Sequence, residues 1–131
     1  MGNILIVDDD RSFSQFLKKY IRQCFPALRV HTCSDPVRAL GLIRKGDVDL
    51  LLVDYEMPVM DGEKVVRYAC QVGMDRNRII VLSSRDVDYL HQHFPLGTCL
   101  AVMNKYEAGQ KAVLDMVLGS LQRKTSEAVC G

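Results

Sequence analysis

Three aspartates stand in a row at Asp8, Asp9 and Asp10, a further acid stands at Asp54, two hydroxyls at Ser83 and Ser84, and an amine at Lys105. Each group comes just after a short apolar run: Ile4 to Val7, Leu50 to Val53, Ile79 to Leu82 and Leu100 to Met103. Carboxylates crowded together repel, and a hard cation with oxygen ligands relieves that repulsion. Mg2+ suits such a place because it takes one or two carboxylates, keeps several waters and leaves room for a phosphate oxygen. A carboxylate also attacks phosphorus to give an aspartyl phosphate. That transfer depends on positioning and on neutralising charge at the three equatorial oxygens, by metal, amine and hydroxyl. Taken singly, each group has a plainer reading. Asp8 to Asp10 suit a helix cap and its dipole, Lys105 suits a solvated surface, and Ser83 suits a strand end. The chemistry requires that they meet in space.

The apolar runs are rich in Ile, Val and Leu and suit strands buried on both faces of a parallel sheet. Arg29 to Cys33, with Val30 as its only strongly apolar member, reads as an edge strand. Helical period fills the intervals. Phe13, Phe16, Leu17, Tyr20, Ile21 and Cys24 make one stripe that ends at Pro26. Val37, Leu40 and Ile43 make another after the cap-like Ser34-Asp35-Pro36, with Gly46 as a stop. Val65, Tyr68, Ala69 and Val72 form a third, Val87, Leu90 and Phe94 a fourth, and Val113, Leu114, Val117, Leu118 and Leu121 the last. Five strands alternating with five helices imply right-handed parallel βαβ units. The expected fold is α/β, a flavodoxin-like doubly wound sheet of order 2-1-3-4-5. In an open sheet of this kind ligands bind beyond the carboxyl ends of the strands, where all the groups named above fall.

A chain of 131 residues is the size of one domain. With 17 basic against 16 acidic residues its net charge is +1, so no field gathers nucleic acid by counterion release, and direct nucleic-acid binding is not expected. No apolar run approaches the roughly 20 residues of a membrane span, and no secretory signal pattern opens the chain, so a cytoplasmic protein is expected. The five cysteines, at 24, 33, 70, 99 and 130, have no metal-ligand spacing and are expected to be reduced thiols. His91 and His93 read as solvated helix residues. The composition turns polar after Leu121, giving a domain over 3–121 and a tail or linker over 122–131.

The stretches Ile4 to Asp10 (ILIVDDD), Leu52 to Gly62 (LVDYEMPVMDG), Ile80 to Ser84 (IVLSS) and Lys105 resemble the receiver domains of two-component response regulators, over residues 3 to about 121. The segment from Asp54 through Met57, Pro58, Met60, Asp61 and Gly62 is the most specific. The resemblance implies that Asp54 is the phosphoacceptor and that Mg2+, for which Mn2+ substitutes, is the cofactor. By the same resemblance the metal would be held by Asp9, by Asp8 directly or through water, by Asp54 and by the backbone carbonyl of Glu56. It also implies that Ser83 and Lys105 bind phosphoryl oxygens. The implied donor is a sensor histidine kinase or a histidine phosphotransfer protein, and the domain catalyses only its own phosphorylation and dephosphorylation. Added charge at Asp54 shifts a pre-existing equilibrium toward an altered face on helix 4, strand 5 and helix 5. Output is altered binding of a partner or effector domain, with a phosphorylation-dependent homodimer as one form.

Two departures from the family pattern stand out. Tyr106 replaces the usual Pro after the lysine, which implies either a trans bond with a rearranged loop or a strained cis bond. Val102 replaces the usual aromatic switch residue, leaving Tyr106 or Phe94 as substitutes. Glu56 and Arg85 are expected either to pair and slow loss of the phosphoryl group or to be two solvated charges. One alternative is a degenerate receiver-like interaction module that does not depend on phosphorylation. An aspartate-nucleophile phosphatase would carry a second Asp where Glu56 stands, and a flavin protein would carry a phosphate loop after the first strand.

Overall fold

A computed structural model describes residues 2–85, 87–93, 98–106 and 108–130, with the backbone alone for residues 87, 93, 108–110 and 126–130. The strands are β1 (Asn3–Val7), β2 (Arg29–Cys33), β3 (Leu50–Asp54), β4 (Ile79–Ser83) and β5 (Ala101–Asn104). The helices are α1 (Arg11–Cys24), α2 (Pro36–Arg44), α3 (Gly62–Gln71), α4 (Val87–His93) and α5 (Ala108–Cys130). All strand pairs are parallel, in the order β2-β1-β3-β4-β5, as the alternating pattern implied.

The apolar runs lack polar alternation because both faces of the sheet are covered. Leu5, Val7, Leu51, Val53, Ile79, Val81 and Val102 face α2, α3 and α4 through Ala39, Ile43, Val65, Ala69 and Leu90. Ile4, Ile6, Leu50, Leu52, Ile80, Leu82 and Met103 face α1 and α5 through Leu17, Ile21, Leu114 and Leu118. The edge position of β2 fits its alternation of exposed and buried residues.

Aspartates start the helices. Asp10 accepts from the Phe13 N–H at 3.1 Å, Asp35 from Val37 at 3.0 Å and Asp61 from Lys64 at 3.0 Å. Each satisfies one of the orphan donors of a first turn. Gly46, at φ +81°, follows α2 where a left-handed residue is needed.

Several stripes are narrower than their periodicity suggested. Phe16, at 64 % exposure, Val37, at 53 %, and Val72, at 40 %, face solvent, as does Cys24. On α1 and α2 the small residues Ser14 and Ala39 take inward positions, because the helices lie close on the sheet. Val113 is also on the outer side of α5, and β5 begins at Ala101, one residue after the expected Leu100. Phe94 lies outside the described residues. The polar segment after Leu121 is helical, continuing α5 through Cys130. Gln122 Oε1 accepts from the Ala27 N–H at 3.1 Å, and Thr125 is buried. These contacts anchor polar residues that composition alone assigned to a tail. Cys24, Cys33, Cys70 and Cys99 are free thiols, and His91 is exposed. Among the described residues no helix is long and apolar enough to cross a membrane.

Gly62 opens α3 directly above the end of β3. A Cβ there would stand 2.5 Å from the Asp54 carbonyl oxygen and 2.8 Å from the Tyr55 Cα, both backbone atoms. At Gly41, inside α2, a Cβ would meet nothing within 4 Å. Gly62→Ala should therefore lower the unfolding free energy by about 1–3 kcal/mol, whereas Gly41→Ala should raise it by up to about 1 kcal/mol. Urea titration of the two variants checks the contrast in sign.

Candidate functional site

Parallel register brings the chemical groups to one edge. Val7 pairs with Val53, Asp54 with Leu82, and Ser83 with Asn104, so β1, β3, β4 and β5 end at nearly the same level. The residues that follow them meet there. The run Asp8 to Asp10 divides by role: Asp10 caps α1, Asp8 is buried, and Asp9 is exposed. One carboxylate oxygen from each of Asp8, Asp9 and Asp54 lies within 4.8 Å of the others.

Lys105 reaches into this cluster. Its Nζ stands 2.6 Å from Asp8 Oδ2 and 3.5 Å from Asp54 Oδ1, and all three side chains are nearly inaccessible, at 6 %, 0 % and 5 % exposure. The Phe13 ring lies 4.6 Å below the ammonium. Burial pushes the Asp54 carboxyl up from an ordinary 3.8 to about 7, the Asp8 charge adds to the rise, and Lys105 and the Glu56 N–H oppose it. For Lys105 burial works downward, yet its contacts with Asp8 and Asp54 outweigh it and leave the amine above its usual range. One buried ammonium thus faces two buried acids with a third carboxylate beside them. An all-oxygen donor set with excess negative charge fits a hard divalent cation such as Mg2+. Among the described residues no other group of three or more His, Cys, Asp and Glu side chains is close enough to hold a metal.

Ser83, at the end of β4, donates its hydroxyl to Glu56 Oε1 at 2.6 Å and accepts from the Arg85 N–H at 3.0 Å. Arg85 Nε stands 3.5 Å from the same Glu56 oxygen, and its guanidinium lies 4.7 Å from the Tyr89 ring centre. Tyr89 meets Tyr55 edge to face at 6.2 Å. The Glu56 and Arg85 side chains therefore meet, and Ser83 joins them, a partner that sequence spacing did not suggest. Both charges are partly exposed, so the ion pair by itself contributes little stability.

The two departures from pattern also have places. The Lys105–Tyr106 peptide is trans. Tyr106 is 71 % exposed with its ring edge to face with Phe13 at 6.3 Å, and Val102 is buried among the residues that face α2, α3 and α4. Asn104 was not singled out by sequence, although its side chain bonds both loops that flank the cluster. A polar residue at the last position of an apolar strand was the available signal.

Comparison with known proteins agrees with this geometry. A family model described as response regulator receiver domain matches residues 4–109. The cyclic di-GMP phosphodiesterase response regulator RpfG of Xanthomonas campestris pv. campestris is 41% identical over 80 residues, 61% of this chain and 21% of that protein. Response regulator MprA of Mycobacterium sp. (strain KMS) is 34% identical over 113 residues, 76% of this chain and 48% of that protein. The chain thus spans about a fifth of the first relative and about half of the second. Among solved structures, TrrA of Thermotoga maritima in complex with Mg2+-BeF superposes with a TM-score of 0.76 at 21% identity, covering 92% of this chain and 99% of that one. Vibrio cholerae chemotaxis protein CheY4 superposes at 0.75 with 22% identity, over 89% and 96%. At these identities the structural likeness speaks for the fold.

The raised Asp54 carboxyl has a consequence for stability. Its proton is held more tightly in the folded chain than in the unfolded one, so its favourable contribution is full below about pH 4 and lost as pH rises through about 7. With divalent cations chelated, Asp54→Asn should be more stable than the wild type at pH 8 by at least about 1 kcal/mol, with the advantage shrinking at pH 5. Urea midpoints at the two pH values check it, and an advantage independent of pH would contradict the assignment.

Proposed function

Because this chain belongs to the response regulator receiver family, we propose that Asp54 accepts a phosphoryl group from a phosphohistidine, on a sensor histidine kinase or a histidine phosphotransfer protein. The observation that carries this reading is the buried Asp54 carboxylate beside the Lys105 ammonium at 3.5 Å, with Asp8 and Asp9 completing an acidic cluster. An Asp54 oxygen forms a bond to phosphorus as the donor's P–N bond breaks, and the imidazole leaves with its electron pair. Asp8, Asp9, Asp54 and the Glu56 backbone carbonyl would hold Mg2+. Bound there, the ion supplies charge neutralisation for the phosphoryl oxygens and relief of carboxylate repulsion. Lys105 pairs with one phosphoryl oxygen and Ser83 donates its hydroxyl to another, while burial of Asp54 keeps bulk water from competing for the donor.

The reaction is self-modification rather than turnover of a separate substrate. The added charge draws on Ser83 and its loop, and the readout is altered binding at the face made by α4, β5 and α5, to an effector domain, another protein or a second copy. We read Tyr106 as the residue that reports the change, a reading supported by Val102 lying in the core and Tyr106 at the surface against Phe13. The setting is the cytoplasm. Glu56 and Arg85 screen the phosphoryl group from hydrolytic water and lengthen its life.

A second reading, an interaction module that works without phosphorylation, is favoured by the hydrogen bond that already engages Ser83 with Glu56. Acetyl phosphate with Mg2+, read by intact mass, separates the two. One phosphoryl adduct is expected on the wild type, none on Asp54→Asn, and a rate lowered about tenfold to a hundredfold on Lys105→Ala. Absence of any wild-type adduct would turn the reading to the module. Glu56→Ala and Arg85→Ala should each shorten the phosphoryl lifetime; unchanged decay rates would remove these residues from the chemistry.

A further inference from the structure

The loop that carries Lys105 has no proline to fix its path, and its first peptide is an ordinary trans bond. It is nonetheless held in place from within. The Lys105 N–H donates to the Ser83 carbonyl at 2.8 Å, which extends the pairing of β4 with β5 by one rung. The Asn104 side chain adds the rest. Its Nδ2 donates to the Arg85 carbonyl at 2.8 Å and to the Ser84 carbonyl at 3.3 Å, and its Oδ1 accepts from the Tyr106 N–H at 2.8 Å. Lys105 is thus bracketed: the carboxamide before it in sequence grips the amide after it, and ties both to the loop that carries Ser83.

We propose that Asn104 is a positioning residue for phosphoryl transfer, which locks the Lys105 loop to the Ser83 loop so that amine and hydroxyl approach Asp54 as one unit. The inference rests on the phosphoacceptor reading given above. The chemistry of the partners selects the side chain. Backbone carbonyls only accept and the Tyr106 N–H only donates, so the group between them must offer a donor on one side and an acceptor on the other. A carboxamide does this. A carboxylate of the same size would keep the acceptor but set a negative oxygen 2.8 Å from the Arg85 carbonyl. A methyl group would leave all three backbone groups to water. Asn oxygen bonded to an N–H two residues on is also a common turn device, but the bonds from Nδ2 reach 19 and 20 residues back along the chain, so the side chain joins two loops rather than shaping one.

Bonds at an exposed edge contribute little to global stability, yet a displacement of about 1 Å in a charge-neutralising group costs on the order of a hundredfold in rate. The effect of Asn104 should therefore appear in transfer and in the shielding of Lys105 rather than in folding. The test uses the full chain with acetyl phosphate and Mg2+, and compares Asn104→Ala, Asn104→Asp, Lys105→Ala and the double variant Asn104→Ala/Lys105→Ala. Urea midpoints serve as the folding control. The expected result is a rate reduced about tenfold to a hundredfold in Asn104→Ala, at least as much in Asn104→Asp, and no further loss when Asn104→Ala is added to Lys105→Ala. A second readout needs no phosphorylation: Lys105, at 6 % side-chain exposure, should react slowly with acetic anhydride in the wild type and several-fold faster in Asn104→Ala, by peptide mass spectrometry. A wild-type rate in Asn104→Ala, or a penalty that persists undiminished in the Lys105→Ala background, would overturn the proposal. If the wild type takes no phosphoryl group at all, the phosphoacceptor reading falls, and the acetylation arm then decides alone. Equal Lys105 reactivity in wild type and Asn104→Ala overturns the lock. Should Asn104→Ala fail the folding control, Asn104→Asp carries both comparisons.

Discussion

A buried ammonium between two buried carboxylates is the interaction on which the rest of this molecule turns. Taking Lys105, Asp8 and Asp54 out of water is costly, and the attraction of the ammonium for the two acids offsets only part of that. Because the count of charges is uneven, Lys105 offsets one acid, and Asp54 is left with its carboxyl raised by burial and by Asp8. A structure that only needed stability would place apolar groups here.

The sheet makes this arrangement possible. Five parallel strands in register give a flat carboxyl edge, with both faces sealed by helices, so that side chains leaving the strand ends share one semi-enclosed rim. Gly62 keeps the start of α3 pressed on the backbone of Asp54, and Phe13 closes the floor beneath Lys105. The adjoining loops, with Glu56, Arg85 and Tyr106, are held by exposed polar and aromatic contacts.

Much of this was legible in the chain itself, for identifiable reasons. An unbroken apolar run such as Ile4 to Val7 has few folds open to it, and the acid after it must then lie at a strand's carboxyl end. Placing Asp8, Asp54, Ser83 and Lys105 together followed from that alone. What escaped depends on distances across space. Phe16 and Val37 have the spacing of buried residues, but the close approach of α1 and α2 to the sheet leaves the inward places to Ser14 and Ala39. The polar run from Gln122 gave no sign of helix, because its anchors are Ala27 and the N-terminal end of the sheet, distant in sequence. Asn104 and the Ser83–Glu56 bond escaped likewise, since single polar residues in loops have no periodicity to betray them.

The hydrogen bond from Ser83 to Glu56 has one more implication. A hydroxyl has a single proton to give, so Ser83 serves one acceptor at a time. An incoming anionic oxygen that takes this proton leaves the Glu56 carboxylate with Arg85 as its nearest cation, and Arg85 in turn rests on the Tyr89 ring at the start of α4. Reassignment of that one hydrogen bond would thereby bear on a short chain of side chains, Glu56, Arg85 and Tyr89, that ends on α4.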